Sequence, residues 1–229
     1  MLFDLRGRGR RRTVQVIYLT LAILLGGGLV LFGIGGGTNG GLFDAIGGNG
    51  SSSTSTNKVF QDRLAAYQRQ LAANPQDAAA LLGVTKLHFG NASTGENFNQ
   101  TEGAYTAKGL AELRQASAAW QRYLATNPAK PDPSTANLMV QAYGPAGLKQ
   151  YDKAVTALEA VIDSRKETAN LYAQLAILAA AAKQDRKATL AEEKALALTP
   201  AKDRKQLKSE IDLQKSQLTV QQPTQSQSG

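Results

Sequence analysis

Between Thr13 and Ile34 the chain reads TVQVIYLTLAILLGGGLVLFGI, without a single Asp, Glu, Lys, Arg or His. As a helix this run would extend about 33 Å, enough to cross a hydrocarbon core of about 30 Å. Arg6, Arg8, Arg10, Arg11 and Arg12 precede it, and no further Lys or Arg occurs until Lys58. Such one-sided positive charge predicts an N-terminus in the cytoplasm and an extracytoplasmic remainder. A cleaved secretory signal has a shorter apolar core, of about 7–15 residues, and an A-x-A-like end. Here the run is longer and GGGTNGG follows it, so the prediction is an uncleaved single-pass transmembrane helix over 13–34 in the cytoplasmic membrane. Gly26–Gly28 lowers helix propensity, yet in lipid the backbone has no alternative to intrahelical hydrogen bonds. Ala22 and Gly26 form one small-x-x-x-small pair, which leaves the oligomeric state undetermined.

The formal net charge is +8, and residues 1–12 carry five Arg and one Asp. Half of the excess therefore sits in the basic cytoplasmic segment, where anionic lipid is its natural partner. The other half is interspersed with Glu and Asp along what reads as solvated helix surface. No nucleic-acid-binding motif accompanies it, so no nucleic-acid partner is expected. The absence of Cys excludes disulfides and thiol chemistry.

Residues 35–57 are Gly-, Ser-, Thr- and Asn-rich and read as a flexible linker. They enclose Leu42-Phe43-Asp44-Ala45-Ile46, a short amphipathic island. Two readings fit it: a segment half buried among lipid headgroups, or plain linker with a few apolar residues. From Lys58 the pattern turns helical, with apolar residues three and four apart. Helices are expected over Lys58–Ala73, Asp77–Phe89, Lys108–Thr126, Ser134–Tyr143 and Tyr151–Ile162, in a pair beginning at Ala169, and over Lys202–Gln217. Asn74-Pro75, Asn127-Pro128 and Thr199-Pro200 punctuate them. Gly144–Gly147 reads as a turn about two residues longer than usual. Gly90–Ala107 reads as a polar loop far longer than such turns allow, a length associated with function or mobility. No stretch alternates long enough to predict a strand, and 218–229 reads as a disordered tail.

Aligning on the proline-marked endings gives a helix-pair unit of about 34 residues. Its best copy, Ala169–Asp203, carries Tyr172, Leu175, Ala176 and Ala179 on one helix and Ala188, Ala195 and Leu196 on the other, before Pro200. The preceding copy has Tyr151, Ala154, Leu158 and Ile162. The first has Leu81, Val84 and His88 facing Ala116, Trp120 and Leu124. Over residues 58–217 these spacings resemble the tetratricopeptide repeat family, which implies an all-α stack of antiparallel helix pairs ending in a polar capping helix. Glu192 departs from that pattern, standing where an aromatic is usual. The whole layout resembles single-pass membrane repeat proteins of actinobacteria. It is also similar in plan to the bacterial ancillary subunit of the Sec translocon.

Little in the residues points to catalysis. His88 is the only histidine, so with no Cys a typical zinc site is not available, and His88 is expected to be a packed residue. Ser51–Ser53 lies in the linker, Glu192-Glu193 diverge on a helix, and the glycine runs lack a phosphate-loop spacing. The chain is therefore expected to be no enzyme and to need no cofactor or metal. The family resemblance implies recognition of protein or peptide partners on the concave face. By register that face would present Lys86, Phe89, Asn137, Gln141, Asn170, Gln174 and Ile177. Amides there suit the backbone of an extended chain, although the same positions read equally well as ordinary solvated surface. Two functions follow as expectations: an extracytoplasmic scaffold or chaperone-like accessory of protein export, or an assembly factor for envelope or division complexes with one fixed partner.

Overall fold

Small polar side chains just ahead of apolar runs start four of the helices. Asp77 accepts a hydrogen bond from the Ala80 amide (3.0 Å), Thr106 from Gly109 (3.3 Å), Asp132 from Thr135 (2.8 Å) and Thr168 from Leu171 (3.3 Å). Each satisfies a donor left open at a helix N-terminus. The computed structural model describes residues 53–220, which are mostly helical. Its eight α-helices in that range are α1 (Ser53–Ala73), α2 (Ala78–Ala92), α3 (Ala107–Ala125), α4 (Pro133–Tyr143), α5 (Tyr151–Ile162), α6 (Ala169–Ala181), α7 (Asp185–Ala197) and α8 (Arg204–Val220). The basic segment, the apolar run Thr13–Ile34, the linker and island up to residue 52, and residues 221–229 lie outside the described residues. Among the described residues no helix is long and apolar enough to cross a membrane. The first helix starts at Ser53 instead of Lys58, and the last continues to Val220; extending a formed helix by a turn costs little.

Helices pair in chain order: α2 with α3, α4 with α5, α6 with α7. In turn α1 lies on α2, α4 also meets α2 and α3, α6 rests on α5, and α8 closes the end against α6 and α7. One hydrophobic core runs through all of them, from Leu81 and Leu113 through Trp120, Met139, Tyr143 and Leu158 to Ile211. Among the described residues every buried side-chain polar atom has a hydrogen-bond partner. The Tyr143 hydroxyl lies 2.9 Å from the Ser117 hydroxyl and accepts from Gln121 Nε2 (3.2 Å), tying α4 to α3.

The second and third pairs repeat each other 34 residues apart. Ala142 and Ala176 are buried at equivalent places on the first helices, Ala154 and Ala188 on the second. Lys149 (φ 55°) and Lys183 (φ 58°) take the same left-handed turn conformation, and α5 and α7 begin two residues later. The connection after α4 is nonetheless the longer one, as expected: residues 144–150 lie between α4 and α5, and only 182–184 between α6 and α7. Pro145 stops α4 at Tyr143, whereas α6 winds on to Ala181. Gly147 is required in the looser turn, because a Cβ there would fall 2.2 Å from the Ala142 carbonyl oxygen.

The long polar loop also proves structured. α2 extends to Ala92, and a short 3-10 turn (Gly95–Asn97) leads into a two-residue hairpin, β1 (Phe98–Asn99) and β2 (Ala104–Tyr105). Phe98 pairs with Tyr105 in register, their rings edge to face at 5.0 Å. Asn97 Nδ2 donates to the Asn91 carbonyl (2.9 Å), and the Thr106 amide donates to the Asn97 carbonyl (2.9 Å). The loop sits directly on α3 at Gly109, where a Cβ would lie 2.0 Å from the Asn97 carbonyl oxygen.

That seat is testable by contrast with Gly90, whose Cβ would meet nothing within 4 Å. Gly109→Ala is expected to destabilise the domain by about 1–3 kcal/mol through overpacking. Gly90→Ala should raise stability by up to about 1 kcal/mol through helix propensity. Urea titrations followed by circular dichroism check the pair; effects of equal sign would contradict the tight seat.

Candidate functional site

The seven residues expected on a concave face do not form one surface. Phe89 and Ile177 are buried, at 4% and 9% exposure. α2 is bordered by α1, α3 and α4, and α6 by α5, α7 and α8, so each loses a position that register alone left open. Lys86 is half exposed but engaged: its ammonium lies 3.5 Å from Asp132, the N-cap of α4. Burial opposes ionisation of Asp132, yet hydrogen bonds from the Thr135 hydroxyl and amide, with Lys86 nearby, outweigh it and hold the carboxyl below its ordinary range. Lys86 therefore pins α2 to α4. Asn137, Gln141 and Gln174 are half buried and Asn170 is exposed. At the 34-residue spacing Asn137 and Gln141 correspond to Leu171 and Leu175, while Asn170 and Gln174 correspond to Ala136 and Val140. One residue of offset is about 100° around a helix, so the two amide pairs point along different lines.

An open apolar groove lies instead along α6 and α7. It measures about 560 Å³ and is lined by Tyr172, Leu175, Leu190 and Ala191, with Gln184, Asp185, Arg186 and Lys187 at one end. Polar contacts fix its walls. The Tyr172 hydroxyl donates to Glu167 Oε1 (2.7 Å), and Lys194 donates to Glu167 Oε2 (2.8 Å) while its ammonium lies 5.6 Å from the Tyr172 ring centroid. The hydrogen bonds from Lys194 and Tyr172 lower the Glu167 pKa, and the bond to Glu167 raises that of Tyr172. Toward α5, Lys187 pairs with Glu159 (2.6 Å) and Gln184 Nε2 donates to Asp152 (3.0 Å). Leu190 is 57% exposed within this frame. Sequence reasoning missed it, although the mark was there: a leucine at the position that Thr156 holds one repeat earlier.

Glu192, two residues further along α7, faces α8. Its carboxylate, in a side chain only 14% exposed, receives Lys208 (2.7 Å) and Lys215 (2.5 Å). The departure from the aromatic pattern thus has a physical reason: a charged clamp holds the last helix where a ring would have packed. His88 is buried as expected, its Nδ1 2.6 Å from Glu112 of α3 and its ring edge to face with Phe60 of α1 at 5.6 Å. Among the described residues no group of three or more acidic or histidine side chains is placed to hold a metal ion. No protein-family profile, curated protein or solved structure matches the chain.

The clamp has a pH signature. Burial raises the Glu192 pKa, but the hydrogen bonds and charges of Lys208 and Lys215 prevail and lower it below 4.5. A depressed carboxylate stabilises the folded state fully above its unfolded pKa and loses that contribution as pH falls through the folded value. Amide exchange in α8 should therefore accelerate selectively below about pH 4.5. Glu192→Gln should loosen α8 already at neutral pH, by about 1–2 kcal/mol for a partly buried pair. Hydrogen-exchange mass spectrometry reads both; uniform acceleration along the whole domain would contradict a local clamp.

Proposed function

We propose that the chain is a tetratricopeptide-type scaffold, anchored in the cytoplasmic membrane by Thr13–Ile34, whose helical domain binds polypeptide partners outside the cytoplasm, as an accessory of protein export. The observation that carries this reading is the 34-residue repeat between the second and third helix pairs. It recurs in the buried alanines Ala142, Ala154, Ala176 and Ala188 and in the left-handed turn residues Lys149 and Lys183. Stacked helix pairs of this length leave elongated, ready-made surfaces, and such surfaces suit extended or helical peptides better than small substrates. The arginine-flanked apolar run supports the tether and the orientation.

A photo-crosslinking residue at Asn170 or Leu190 of the full chain, in intact cells, is expected to capture secreted or envelope polypeptides. Protease added to wall-stripped cells should cut the domain without lysis. Capture of lipid alone, or a domain cut only after lysis, would defeat the reading.

A further inference from the structure

Leu190 is the largest exposed apolar side chain on α7, and it stands in a groove whose floor, Leu175 and Ala191, is itself buried. A Tyr172 ring held by Glu167 and Lys194 forms the side of that groove. The groove is open and shallow, suited to a side chain laid on a surface, and its Tyr172 wall is fixed by the bonds from Tyr172 and Lys194 to Glu167. Arg186 lies one helical turn before Leu190, so their Cβ atoms are about 6 Å apart on one face. Arg186 is exposed and has no ion-pair partner among the described residues, whereas Lys187 beside it is neutralised by Glu159. Asp185, beside Arg186 in the first turn of α7, lines the same end, but it stands about 140° around the helix from Leu190, whereas Arg186 shares the leucine's face. The groove therefore offers one open apolar seat and, a turn away, one open cation.

We infer that this groove binds an acidic, amphipathic peptide segment in which a bulky apolar side chain and a carboxylate lie about 6 Å apart. The apolar group packs on Leu190, Leu175 and the Tyr172 ring, and the carboxylate pairs with Arg186. In an extended peptide that separation corresponds to a Leu or Phe followed two residues later by Asp or Glu. The inference rests on the scaffold reading and names the kind of chain the scaffold accepts. Burial of the apolar side chain supplies affinity, and the arginine selects against basic sequences.

The test uses the full-length chain in lipid nanodiscs and two fluorescein-labelled nonapeptides. One carries Leu-Phe followed by two glutamates; the other has lysines in place of the glutamates. Fluorescence anisotropy should show saturable binding of the acidic peptide only. Leu190→Ser should weaken it by at least about tenfold, the worth of one buried leucine. Arg186→Glu should weaken it by at least about threefold and remove its salt dependence. Both positions are exposed, and unchanged circular dichroism confirms that the variants fold. Equal binding of the two peptides, binding unchanged in both variants, or no saturable binding would each overturn the assignment. If crosslinking from Asn170 still captures polypeptides in that event, the scaffold reading stands and only the groove assignment falls.

Discussion

The domain depends on how closely two helices can lie, and that distance is set by alanine. Ala142 with Ala154, and Ala176 with Ala188, put buried single-carbon side chains on both members of a pair. Side chains that small allow two helix axes to approach closely, and the bulk that fills the core is supplied elsewhere. Trp120, Tyr143 and Leu158 supply much of it and are almost wholly enclosed. Because Tyr143 is also hydrogen-bonded to Ser117 and Gln121, the junction between the first and second pairs has a defined orientation as well as a filled volume.

Much of this is legible in the sequence. Apolar spacing and proline stops locate every helix from α1 to α8, because these signals act within a turn or two of the residue that carries them. YDKAVTALEAVI reads as a helix and forms α5 without a residue more or less. The internal order of the loop before α3 is not legible in the sequence, for a matching reason. Its order comes from Asn97, Thr106 and the close seat on Gly109, contacts between residues that no local pattern links.

The candidate surface was less legible than the fold. Choosing which residues of a helix face outward requires knowing which neighbours cover it, and a one-residue error in register turns the choice by about 100°. Phe89 and Ile177 were lost to neighbouring helices and Lys86 to an ion pair across α2 and α4. Leu190 could have been found by comparing repeats, since an apolar residue replaces Thr156 at a position that faces outward. Glu192 shows the converse: a residue that looked like a defect in the pattern is explained once the two lysines of α8 are placed around it.

A column of repeats has a growth problem, since the face that receives the next pair is the same at every level. Left bare, the terminal pair would offer that face to the first pair of another molecule, and the contact, being head to tail, would propagate as a filament. Here α8 fills the position with Ile211 turned inward and a mostly polar exterior. Glu192 then makes the substitution selective, because an incoming helix without two correctly spaced cations would strand a largely buried carboxylate. The ion cluster thereby selects which helix can lie against α6 and α7 at that level.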